Sequence, residues 1–285
     1  MKKLSTLAVL AALAISTHAQ HLPVLKQAYL PKHTYSINNK IGVLMQVTMH
    51  SDSVAKATGG SGDENVEMNN VTEDNTDLKT AEASADKGFA IAMSRAVVSA
   101  RTVVNNQEAP SQPDLLAGKT INGTIDANGT VNADTTETDA EINSLVKSMV
   151  GALPTATNFP NKQLMVNDTF TVKLPAYTLE LTNQGIKKEL FVNVTYKVTG
   201  IKDNLATFQT SGAFDINSDA EYKGRTIKIT GKGVGVWKIV FDTANSFPQY
   251  LGSQLQIAFE VKSDKGKANF KSTVRRETRV TITAN

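Results

Sequence analysis

From Leu164 to Thr283 the chain alternates apolar and polar residues with a period of two, in segment after segment, and few folds accept that pattern. Phe170 to Leu174, Leu190 to Val198, Ile227 to Ile229 and Val236 to Phe241 each interleave large apolar side chains with Thr, Asn or Lys. Successive side chains of an extended chain point to opposite sides, so each segment is a strand with one dry and one wet face. Gln254 to Val261 and Phe270 to Ile282 continue the series. Asn183-Gln184-Gly185, Lys202-Asp203-Asn204, Lys223-Gly224 and Asp264-Lys265-Gly266 stand between strands, where Asn, Asp and Gly accept turn geometry, so neighbours run antiparallel. Lys173, Lys197, Lys228 and Lys262 fall on the wet face and oppose edge-to-edge association.

The first half is less regular. Thr34 to Ile37 and Val43 to Met49 read as strands. Over about 51–86, Gly59-Gly60-Ser61-Gly62 and a run of acids from Asp63 to Asp86, with Lys79 the one basic residue among them, predict a solvated loop with at most one short strand. Phe89, Ile91, Met93 and Val97 form another alternating segment, and Asp126-Ala127-Asn128-Gly129 predicts a tight hairpin between Ile121-Ile125 and Val131. Ile142, Leu145, Val146, Met149 and Val150 make one apolar stripe at helical spacing, so a helix is expected over about 139–150. Thr138 and Glu141 have capping-box spacing, and Gly151 and Pro154 stop the helix. The fold class is therefore mainly β: curved antiparallel sheet from two β-rich halves, with one amphipathic helix packed on a sheet face.

The ends and the composition bound the function. Two lysines, an apolar run from Leu4 to Ile15 and Thr17-His18-Ala19 make residues 1–19 a cleavable export signal. No cysteine follows the apolar run, so an exported chain is expected in the periplasm or outside the cell, soluble, without a lipoprotein anchor and without a membrane span after cleavage. The chain has no cysteine at all, which removes disulfides, thiolate zinc sites and thiol nucleophiles together. Its formal charge of +3 falls to +1 once Lys2 and Lys3 leave with the leader, too near neutral to suggest a nucleic-acid partner.

Chemistry-bearing motifs are missing. Only His21, His33 and His50 remain after the leader, all near the N-terminus of the remaining chain, which leaves no zinc pair and no plausible general base for a serine nucleophile. Asp215, Asn217 and Asp219 copy the first ligands of a calcium loop, but Ala220 replaces its glycine and Thr226 its glutamate. The reading is of no enzyme, no catalytic residue, no metal and no cofactor.

Lys32-His33-Thr34-Tyr35-Ser36 is echoed by Asn167-Asp168-Thr169-Phe170-Thr171, and Gly118 to Gly129 by Gly231 to Asn245, which suggests an N-terminal half over 20–154 and a C-terminal half over 155–285. Asn158 to Phe170, Tyr196 to Ile201 and Gly231 to Asp242 resemble an uncharacterised family of exported, two-repeat β-rich envelope proteins of Bacteroidota-type bacteria. The family usually has Gly at the place of Asn167 and Trp at that of Phe170, and no activity comes with the resemblance.

What is left is a non-catalytic binding or carrier module for an apolar, lipid-like molecule, or alternatively a structural or protein-interaction component of the envelope. A curved sheet with few aromatics leaves a groove, and Phe170, Phe208, Trp237, Phe241 and Phe259 are expected to line it. Its partner would be an apolar small molecule or an envelope protein.

Overall fold

The computed structural model describes residues 21–51, 63–84, 88–110, 114–134, 139–153, 159–181, 186–222, 225–263 and 266–285. The expected leader over 1–19 lies outside the described residues. In chain order the elements are β1 (His21–Leu22), β2 (His33–Ser51), β3 (Asp63–Thr80), β4 (Phe89–Val104), β5 (Gln107–Glu108), β6 (Thr120–Ile125), β7 (Val131–Ala133), α1 (Ala140–Ala152), β8 (Leu164–Met165), β9 (Thr169–Leu181), β10 (Ile186–Lys202), β11 (Leu205–Tyr222), β12 (Arg225–Asp242), β13 (Phe247–Ser263) and β14 (Gly266–Ala284).

The protein is mainly β. Twelve strands join in one antiparallel sheet in the order β7-β6-β4-β3-β2-β14-β13-β12-β11-β10-β9, with β5 on β4, while β1 and β8 make a small separate pair. The alternating segments of the second half become the six-strand meander β9 to β14, each strand beside its sequence neighbour. The two halves are continuous with each other, because β14 pairs with β2 along its length, from Gly266 against Ser51 to Ala284 against His33. Both halves enter their first long strand through a left-handed residue, Lys32 at φ 57° and Asn167 at φ 75°.

Residues 63–80 are not a loop. They form β3, an internal strand paired with β2 on one side and β4 on the other. Asp, Glu and Asn disfavour strands on average, but that tendency reflects the neighbours a strand usually has. Here the neighbours match: Ser36 donates to Asp77 at 2.6 Å, Gln46 to Glu67 at 2.9 Å, Thr48 to Asn65 at 2.7 Å, and Lys40 stands 3.9 Å from Glu73. Such cross-strand pairs are the unit of sheet stabilisation. Of the expected loop, 52–62 and 85–87 lie outside the described residues.

The hairpin at Asp126 forms as read, with Gly129 at φ 83° and the Asp126 carboxylate accepting from the backbone of Asn128 and Thr130 at 2.9 Å each. Helix α1 starts one residue later than the capping-box spacing implies. Asp139 is its N-cap, accepting from Glu141 N at 2.8 Å and Ile142 N at 3.4 Å. Val146, Met149 and Leu153 are buried, and Ile142, Leu145 and Val150 are half-buried against the same core. Asp215, Asn217 and Asp219 lie in β11, opposite Lys232, Thr230 and Lys228, so an extended strand replaces the calcium loop they resemble.

Two cores sit on one face of the sheet. The first packs Leu22, Leu25 and Leu164 onto β10, β11 and β12; the second packs Tyr29, Leu116 and α1 onto β2, β3, β4 and β6. In the second, the Tyr35 ring meets Tyr29 edge-on at 5.0 Å and Phe247 at 4.9 Å, and its hydroxyl oxygen accepts from Leu30 N at 2.6 Å. Burial pushes the hydroxyl pKa of both tyrosines upward. A raised phenol pKa means the fold holds the proton that the unfolded chain releases, so the contribution is complete below about pH 10 and is lost as pH climbs above it. Urea unfolding at pH 8 and at pH 11 should show the protein weaker at pH 11, and Tyr29→Phe together with Tyr35→Phe should flatten that difference. An unchanged alkaline loss in the double variant would place its origin elsewhere.

Candidate functional site

Register fixes which side chains share a face. On the dry face, Ile41 stands beside Arg276 and Ser253, Val43 beside Val274 and Leu255, Met45 beside Met68 and Ser272, and Val47 beside Val66, Phe270 and, one strand on, Phe259. Near the start of β2 this face is closed by α1 and by Tyr29. On β11 to β13 it is closed by the chain's own large side chains. A Cβ at Gly233 would meet the Phe214 ring and one at Gly235 the Trp237 ring, so these glycines let aromatic rings lie flat on the sheet.

Between them, on β3, β2 and β14, the face is not closed. Val66, Met68, Ile41, Val43, Met45, Val47, Met49, Phe270 and Val274 are half-buried, and none belongs to either core. They form an apolar strip running along β2.

A band of polar side chains crosses the same face at the upper end of the strip. Thr278 donates to Asn39 Oδ1 at 2.8 Å, and Asn39 Nδ2 donates to Asp74 Oδ1 at 3.4 Å. The Arg95 guanidinium lies 3.3 Å from Asp74 Oδ2, and Arg276 donates to Thr278 at 3.2 Å and to Asn39 at 3.4 Å. Asn39, Asp74 and Thr278 are buried. Desolvation holds the Arg276 guanidinium below its ordinary pKa, with Asp74 pulling it back up. Sequence reasoning passed over this band, because Asp74 was assigned to a loop. The available signal was the run Arg275 to Arg279, where Arg276 and Thr278 are polar at positions that the alternation reserves for apolar residues.

The five aromatic residues expected at a groove all lie on the dry face, in different states. Phe208 and Phe241 are 0% and 1% exposed, covered by Phe159, whose ring centroid is 5.5 Å from that of Phe208 and 5.2 Å from that of Phe241. Phe170 stacks on Tyr196 at 4.8 Å and also meets Phe159. These three fill a core. Trp237 and Phe259 remain half-buried, Phe259 stacked at 4.6 Å on Phe270 of the strip.

The hollow of the sheet lies on the wet face instead. A cavity of about 1040 Å³ spans β3 to β10 and is lined by Lys40, Leu44, Val236, Lys238, Tyr250 and Arg275 among others. Charges of both signs line it, Lys40, Lys238 and Arg275 with Glu277, and Glu277 also pairs with Arg279, whose guanidinium carbon lies 5.6 Å from the Tyr250 ring centre. Among the described residues no three His, Cys, Asp or Glu side chains gather where they could hold a metal ion, and no helix is long and apolar enough to cross a membrane.

No family model matches the chain, and no curated protein matches it. Among solved structures it is similar to one described as lipid–protein interactions in lipovitellin, at 10% sequence identity and a TM-score of 0.47 over 90% of this chain. The chain spans about a quarter of that protein's length, 26%.

Proposed function

We propose that the protein is a non-catalytic binding module that takes an apolar, lipid-like molecule on the strip formed by β3, β2 and β14. The observation that carries this reading is a row of large apolar side chains, Val43, Met45, Val47 and Met49, left only half-buried on a strand in the middle of the sheet. Leaving such a row in water forfeits the free energy its burial would release, about 25 cal/mol per Å². A hydrocarbon chain laid along β2 recovers it. The leader-like residues 1–19 support a reading in which the module works in the periplasm or outside the cell.

Displacement of a fluorescent long-chain lipid analogue tests the reading. Met45→Glu sets a carboxylate into the strip, where an unpaired charge costs several kcal/mol on desolvation, so affinity should fall more than about tenfold. Gln46→Glu, on the wet face beside Glu67, should leave it within about twofold. Equal affinity of Met45→Glu and the unaltered protein would remove the strip from consideration.

A second reading, an interaction component of the envelope, draws on the wet face. Leu44, Val234 and Val236 are 39%, 47% and 55% exposed there, Leu44 and Val236 at the hollow. An apolar group amid polar ones in an open hollow suits a protein surface better than a small molecule.

A further inference from the structure

In the hollow of the wet face, Leu44 on β2 and Val236 on β12 stand on either side of β14 and β13. Three interstrand steps of about 4.8 Å set them roughly 14 Å apart. Between them the floor is low, because Gly42 stands level with Arg275 and a Cβ added at Gly42 would meet nothing within 4 Å. Lys40, Lys238 and Arg275 line the hollow, and Glu277 is its one carboxylate among the described residues. Glu277 is engaged by Arg279, and Lys40 faces Glu73 at 3.9 Å. Among the described residues, no ion pair or hydrogen bond engages the side chain of Lys238 or Arg275. A basic rim around apolar side chains is complementary to a partner that brings carboxylates beside apolar groups of its own.

The strands decide what form that partner takes. Every strand under the hollow, from β3 to β10, is paired on both sides, so no edge there accepts an added strand. A guest that buries its backbone in the hollow must satisfy its own N–H and C=O groups, as an α-helix does. A helix about 10–12 Å across also fits the gap between Leu44 and Val236. A sugar ring finds less here. The Tyr250 ring lies over Gly252 and faces Arg279, so it is not a free stacking platform, and exposed Leu44 and Val236 match apolar side chains rather than hydroxyls.

Resting on the reading of the wet face as a protein surface, and independently of the strip on the other face, we propose that the hollow receives an acidic amphipathic helix of a partner protein. Its apolar side chains lie between Leu44 and Val236, and its carboxylates meet Arg275 and Lys238.

The probe is a fluorescein-labelled peptide of about 18 residues with Leu at helical spacing and Glu on both flanks, titrated with the full chain and followed by anisotropy. It should bind at least about tenfold tighter than a scrambled peptide of the same composition, and than a version with Lys in place of Glu. Val236→Glu and Arg275→Glu should each weaken it more than about tenfold. Lys262→Glu, exposed on the same face outside the hollow and equal in charge to Arg275→Glu, should leave it within about twofold. Gly42→Leu sets a side chain into the open floor and should weaken the peptide by a similar factor while the unfolding midpoint holds. Equal binding of the designed and scrambled peptides, both weakened by Arg275→Glu, overturns the helix and leaves the protein-surface reading standing. Displacement of the probe by polygalacturonate as effective as by unlabelled peptide gives the hollow to an anionic glycan instead. A dimer of the chain that Val236→Glu dissociates gives it to a second copy. No binding of any peptide, or binding that all three hollow variants leave unchanged, overturns both the helix and the protein-surface reading. Should one variant fail to fold, the other two and the peptide series decide.

Discussion

Phe208→Ala should lower the unfolding free energy by about 3–5 kcal/mol, because the site can neither expel the cavity nor fill it. Phe208 is 0% exposed and sits between Val198 and Ile239 in the sheet. Phe159 covers it from a segment outside the sheet, and Phe170 meets it edge-on at 6.4 Å. Phe159 is therefore held mainly by rings that depend on one another, and removing the central one loosens β8 and the turn into β9 as well. Phe191→Ala is the matched control: its ring is 49% exposed on the other face, with Lys173 Nζ 4.9 Å from its centre. That change should cost less than about 1 kcal/mol. Urea unfolding of the two variants measures the difference, and a cost below about 1 kcal/mol for Phe208→Ala would mean that the first core is not packed as described.

Asp74→Ala should destabilise by about 3 kcal/mol, the lower end of what removing one partner of a buried ion pair costs, since Arg95 retains some exposure. The loss is larger than the pair itself is worth. It leaves Arg95 without its carboxylate and Asn39 Nδ2 without its acceptor inside a band that includes Thr278 and Arg276. Asp77→Ala, three residues along the same strand but on the wet face, gives up the bond from Ser36 to solvent and should cost less than about 1 kcal/mol. Equal costs at 74 and 77 would contradict the assignment of the two carboxylates to opposite faces of β3.

That pair of substitutions also marks where the sequence was legible. Alternation of large apolar residues marked parts of β9 to β14, of β4 and of β2, whose two readable stretches are one continuous strand, because in those stretches burial of one face dominates the choice of residue. In β3 the dry face is Val66, Met68, Asn70, Thr72, Asp74, Thr76 and Leu78, and its polar members are satisfied by strands that are neighbours in space only. Nothing local announces that Asn39 and Arg95 will stand on either side of Asp74. The α1 stripe was readable for the opposite reason, since its spacing is local. Its cap was misplaced by one residue because Thr138 and Asp139 are both competent cap residues and their neighbours do not choose between them.

The aromatic residues show the same limit. Phe170, Phe208, Trp237, Phe241 and Phe259 share a face, as alternation requires, but which of them stay open depends on Phe159 and on the glycines of β12. The open surface instead lies on β2 and β3, in Val, Ile and Met, where side chains of ordinary size gave no reason to single them out.

The central claim is that the half-buried strip on β3, β2 and β14 is where an apolar molecule is held. A photoactivatable fatty acid carrying its reactive group near the end of the tail, cross-linked to the full chain and mapped by peptide mass spectrometry, tests it most directly. Label is predicted on Ile41, Val43, Met45, Val47 or Met49, on Val66 or Met68, and on Phe270 or Val274, and an excess of palmitate should suppress it. Label concentrated instead at Leu44, Val234 and Val236 on the wet face, or label that palmitate does not compete away, would contradict the claim.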